Sequence, residues 1–204
     1  MSQPLPSRLS GIAPAGATRR FRSRWIAGWV RAAWALVFAA AVWTQAASGP
    51  TEYQVKAAFV FNFVQFVDWP AAAFAAAESP LIIGVIGEDP FGPVLDATVK
   101  GEKINGRSLA VKRLAANDDP AACHVLFVSR SEQDRVGSLL ERLKGAPVLT
   151  VSEQDGFARR GGVINFITLE NKVRFEINPS AARRAGLSIS SKLLNLARNV
   201  SSEP

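Results

Sequence analysis

The broadest apolar face in the chain belongs to the stretch Glu52–Pro70, EYQVKAAFVFNFVQFVDWP. At about 100° per residue, Val55, Phe59, Val60, Phe63, Val64, Phe66 and Val67 share one side, opposite a narrower stripe of Gln54, Ala58, Asn62, Gln65 and Asp68. A face that broad has to be buried, so the spacing predicts a core helix. Trp69-Pro70 stops it, because the residue before a proline is pushed out of the α region. Phe61 falls inside the polar stripe. Single exposed aromatics are ordinary on protein surfaces; the alternative is that Phe61, with Gln65 beside it, meets a partner.

Downstream the pattern alternates between apolar runs and helical spacing. Leu81–Gly87 and Ala122–Ser129 read as strands covered on both faces. Between them, Asp89-Pro90 predicts a helix over Pro90–Val99, Asn105-Gly106 a turn, and Ser108–Leu114 an exposed or edge strand. Ser131 opens a helix over Glu132–Lys144 that Gly145 closes, and Pro147–Val151 is a short strand. Val163–Leu169 and Lys172–Asn178, joined at Glu170-Asn171, predict a hairpin. Asn178-Pro179 starts the helical tail, in which Ile189, Leu193, Leu196 and Val200 form a stripe that must dock on something. Strands alternating with helices, then a hairpin, predict a single-domain α/β sandwich. Its sheet is mainly parallel, with an antiparallel C-terminal hairpin, and helices flank it.

Composition changes this picture at one end. Residues 1–31 carry six arginines and no acid, and Ala32–Trp43 is an apolar run before Thr44-Gln45-Ala46-Ala47. A basic segment, a short apolar core and a small-residue site are the layout of a secretory signal peptide over 1–47, cleaved to leave a domain over 48–204. The alternative is an uncleaved anchor, for which the run is short of the ~20 residues a span needs. The arginine pair Arg19-Arg20 hints at a twin-arginine signal, but Phe21-Arg22 does not supply its apolar position. The chain's 24 basic and 17 acidic residues give +7, yet the leader holds six of the arginines and none of the acids. The domain is therefore close to neutral, which removes the main support for nucleic-acid binding.

Candidate chemistry is sparse. The chain has one cysteine and one histidine, Cys123 and His124. As neighbours on a strand they point to opposite faces and cannot form a dyad. Two such side chains also fall short of a zinc site. The run GVIGEDPFG at 84–92 lacks the GxGxxG spacing, and Glu88 and Asp89 would repel phosphates at the helix start, so it reads as packing and turn chemistry. The sequence implies no enzyme, metal or cofactor. Two spots have the character of a ligand site. Arg159-Arg160-Gly161-Gly162 is a basic loop suited to an anion, or an ordinary solvated turn. Arg174 and Glu176 alternate with Val173, Phe175 and Ile177, so they project side by side from one sheet face, fit for a polar pocket or only for a wet sheet face.

Six segments in this order resemble the YfiR family of small periplasmic proteins: EYQVKAAFVFNFVQFVDWP at 52–70, IIGVIGEDPFG at 82–92, ING at 104–106, CHVLFVS at 123–129, LTVSEQDGFARRGGVINF at 149–166 and NKVRFEINPSAARRAGLSISSKLL at 171–194. The resemblance implies a periplasmic, homodimeric, non-enzymatic α/β domain. It implies a partner too, the periplasmic sensor domain of an inner-membrane diguanylate cyclase, held inactive so that cyclic di-GMP and biofilm formation fall. It points to Asp155–Gly162 and Arg174 for a polar ligand, and to the first and last helices for protein contacts: Phe61 and Gln65, then Ile189, Leu193 and Leu196. Some relatives carry paired cysteines under redox control; Cys123 alone excludes an intramolecular bridge here. The competing expectation is a periplasmic binding module for a small anionic or cell-wall-derived molecule, held by Arg159, Arg160, Arg174 and Glu176.

Overall fold

The computed structural model describes residues 49–115 and 117–199; the leader expected over 1–47 and Val200 of the C-terminal stripe lie outside them. Helix α1 is Glu52–Gln65. It is nucleated by a capping box in which the Thr51 side chain accepts from the Gln54 backbone and the Gln54 side chain from that of Thr51. The predicted polar stripe is exposed throughout, while Val60, Phe63 and Val64 are buried. The helix is shorter than expected. Instead of running to Pro70 it stops at Gln65, and Val67–Asp68 becomes strand β1, paired antiparallel with β9 at Ser188–Ile189. Backbone pairing with a distant segment outweighs the local helical periodicity.

The main sheet contains β2 (Leu81–Ile86), β3 (Lys103–Ile104), β4 (Arg107–Leu114), β5 (Val125–Val128), β6 (Leu149–Ser152), β7 (Ile164–Leu169), β8 (Lys172–Ile177) and β10 (Arg198–Asn199). Their spatial order is β10-β8-β7-β6-β5-β2-β4-β3. The pairs β2–β4, β2–β5, β5–β6, β6–β7 and β8–β10 are parallel; β3–β4 and β7–β8 are antiparallel. This is the expected α/β architecture with its antiparallel hairpin. Both tight turns have the φ > 0 that two-residue hairpins require, at Asn105-Gly106 (51° and 82°) and Glu170-Asn171 (50° and 56°).

Two apolar layers sandwich the sheet. On one face α1 and α2 (Pro93–Val99) pack through Ala57, Val60, Phe63, Leu95 and Val99 onto Ile83, Val85, Val125, Phe127 and Val151. On the other, α3 (Val136–Arg142) packs through Val136 and Leu139 onto Leu126 and Val128. Phe59 and Phe63 meet Phe166 and Phe175 with ring centroids 5.0–6.1 Å apart, fixing α1 to the hairpin. Two helix starts differ from the sequence expectation. Pro93, not Pro90, leads α2, because Asp89 Oδ1 accepts from Phe91 N at 2.8 Å and forms a turn there. Arg130–Arg135 is a 3-10 turn ahead of α3. The Ser131 hydroxyl is engaged elsewhere, accepting from Glu88 N. The tail is shorter too: α4 is Pro179–Arg184, capped by Asn178 as expected, and α5 is only Ser191–Leu196.

Candidate functional site

In a sheet of order β4-β2-β5-β6-β7, the chain leaves β2 toward β4 and then crosses back to β5. The strands' carboxyl ends between β2 and β5 are where such sheets open a crevice for ligands. In this protein that crevice is filled by its own loops. Ser131 Oγ accepts from Glu88 N at 2.8 Å across the mouth. A Cβ on Gly87, whose φ is 88°, would lie 2.4 Å from that hydroxyl oxygen. Phe91 is driven down into the core, edge-on to Phe127 at 4.7 Å and to Tyr53 at 5.7 Å. The loop is also held from outside. Arg113 donates to both carboxylate oxygens of Asp96, to Asp89 at 2.9 Å and to the Gly92 carbonyl at 2.7 Å. Its hydrogen bonds hold the Asp96 carboxyl below the usual range.

One strand further along the same edge lies a charge cluster that the sequence reading did not single out. Lys56 on α1 and Glu153 after β6 form an ion pair with side chains 3% and 4% exposed. Lys56 also reaches Glu52, and Glu153 accepts from the Tyr53 hydroxyl at 3.1 Å and lies 3.4 Å from Arg130 Nε. Burial disfavours the ammonium, but hydrogen bonds to Glu153 and Glu52 outweigh it and raise the Lys56 pKa. Burial, reinforced by the Glu153 carboxylate, raises that of Tyr53. The available sequence signal was that Lys56 shares a face with Val60 and Phe63 at i, i+4 and i+7.

The expected ligand residues do not all line one cavity. Arg160 lines a cavity of about 420 Å³ beside α3 and α4, a lining that omits Arg159, Arg174 and Glu176. Arg159 is exposed on the loop, and Arg174 is exposed on β8 opposite Ile167. Glu176 is half-buried, flanked in register by Asn165 and Arg198. On the expected partner surface, Gln65 is exposed and Leu196 is 70% exposed. Two residues are corrected. Phe61 is half-buried and packs against the core instead of standing free, and Leu193 is 2% exposed and forms part of the core. Ile189 is half-buried in the β1–β9 pair. These contacts use up apolar surface that helical periodicity alone left unassigned.

Cys123 and His124 are both inward-looking. Cys123 Sγ occupies the space that Gly84 leaves, and burial pushes the thiol up to about 11. His124 stacks on Phe74 with centroids 4.5 Å apart, and its Nδ1 accepts from Ile82 N at 3.1 Å. Nε2 lies 3.1 Å from the Ala73 carbonyl, which can only accept, so the ring is the neutral tautomer protonated at Nε2.

Among the described residues no helix is long and apolar enough to cross a membrane. The fold is thus a doubly wound α/β domain whose usual ligand crevice is closed by its own side chains. The sequence profile of the YfiR/HmsC-like family matches residues 53–198, so this chain belongs to that family. Membership carries a regulatory rather than a catalytic context. No curated protein matches the chain.

Proposed function

We propose that this protein is a non-enzymatic periplasmic regulator that binds the sensor domain of a membrane-bound diguanylate cyclase and holds it inactive, limiting cyclic di-GMP and biofilm formation. The observation that carries this reading is the family match across 53–198. The basic, then apolar, then small-residue sequence over 1–47 would deliver the domain to the periplasm. The contact surface in this reading comprises Gln65 on α1, Leu196 on α5 and the half-buried Ile189, and the protein acts as a homodimer.

Deleting the gene and measuring cyclic di-GMP tests the proposal. A rise that disappears when the cognate membrane cyclase is also removed supports it; unchanged cyclic di-GMP overturns it. Light scattering of the purified domain tests the dimer separately.

A further inference from the structure

Helices α3 and α4 both contribute residues to the lining of one cavity. Each is followed by a glycine of positive φ, Gly145 at 78° and Gly186 at 70°. The cavity, of about 420 Å³, falls within the ~300–1,000 Å³ range of small-molecule sites. Leu140, Leu143, Val148 and Val163 contribute apolar lining, so its inner part suits hydrocarbon.

The charged part of the lining is of one dominant sign. Lys144, Arg160 and Arg184 contribute three cations, against the single carboxylate of Glu141, which lies 3.6 Å from Lys144. The guanidinium of Arg160 is also held in place. It donates to Gln154 Oε1 at 3.0 Å, and Gln154, 2% exposed, is itself anchored by donating to the Ser129 carbonyl at 2.7 Å. A fixed guanidinium loses less freedom on binding an anion than a loose one. Arg184 ends α4, where a cation also offsets the helix dipole; that role does not account for Arg160 and Lys144 converging on the same cavity.

We propose that this cavity binds a small organic anion, one carboxylate or phosphate group at the Arg160–Arg184 rim with a compact apolar body against Leu140, Leu143 and Val163. Gln154 is a positioning residue that aims Arg160. The site is independent of the partner surface proposed above, and requires neither Arg174 nor Glu176.

The test is an amide NMR titration of the purified domain with octanoate, with octylammonium as the charge-reversed analogue and with inorganic phosphate as the bare anion. The expected result is saturable octanoate shifts centred on Gly145, Thr150 and Gly161, with both controls at least tenfold weaker. Arg160→Gln with Arg184→Gln, both exposed positions, should weaken octanoate at least tenfold while the domain stays cooperatively folded. Gln154→Ala should weaken it less, since Arg160 keeps its charge but loses its support. Equal binding of octylammonium overturns the anion assignment, and equal binding of phosphate overturns the apolar half. Shifts centred elsewhere, or affinity untouched in the double variant, overturn the site.

Discussion

Lys56 and Glu153, 97 residues apart in the sequence, form a buried ion pair that ties the first helix to the carboxyl end of β6. Removing one partner of such a pair strands the other charge away from water, at a cost of about 3–5 kcal/mol, whereas replacing both with apolar residues is often nearly neutral. Lys56→Met should therefore lower stability by about 3 kcal/mol in urea unfolding. Lys56→Met with Glu153→Leu should recover most of it. Each single variant leaves a further partner in place, Glu52 for Lys56 and Arg130 for Glu153, which softens both losses. Additive losses in the double variant would show that the pair is not the coupled unit described.

His124 makes stability depend on acid. Its imidazole sits below the ordinary 6.5 because burial, together with nearby Arg107, disfavours the charged ring more than the Ala73 hydrogen bond favours it. A second proton would also have to enter at Nδ1, against the Ile82 N–H. As pH falls the unfolded chain takes up this proton first. The stabilisation is complete above about pH 6.5 and is lost as pH drops from there toward the folded value. Urea midpoints should fall across that window, with a flatter dependence in His124→Gln, and the imidazole resonances should titrate with a midpoint below 6.5.

Gly84 exists to admit a sulfur. A Cβ there would stand 2.5 Å from Cys123 Sγ and 3.1 Å from a Leu126 methyl. Gly84→Ala should cost about 1–3 kcal/mol by overpacking, and part of that loss should return in Gly84→Ala with Cys123→Ala. A double-mutant cycle measures the coupling.

The same burial decides the thiol's chemistry. With the thiol pushed up to about 11 and only 3% of the residue exposed, Cys123 should resist alkylation in the native state and react on unfolding. Oxidised protein should run as a monomer on non-reducing gels; a dimer that depends on Cys123 would restore a redox role.

For the proposed partner surface, Leu196→Glu and Gln65→Arg lie on exposed positions and should change stability by no more than about 0.5 kcal/mol. At least one of them should abolish capture of the cyclase sensor domain in a pull-down. Leu193→Glu is expected to unfold the protein, since it would place a carboxylate in a core position. Capture untouched by both surface variants would remove this surface from the interaction.

The chain by itself determined what depends on local periodicity and turn chemistry. The α1 stripe, the buried runs of β2 and β5, the Glu170-Asn171 hairpin and the Asn178 cap all appear where the spacing puts them, because each rests on residues a few positions apart. Tertiary structure decided everything that needed two distant segments. Pairing with β9 cut α1 short at Gln65, and the end of β6 supplied the carboxylate that lets Lys56 lie inside. Packing also drew Leu193 into the core, and it brought Arg160, Lys144 and Arg184 to one cavity. Periodicity reports which residues share a face. It carries no record of what that face meets, and in this protein the opposing surface separates a buried charge from a solvated one and a core leucine from a contact.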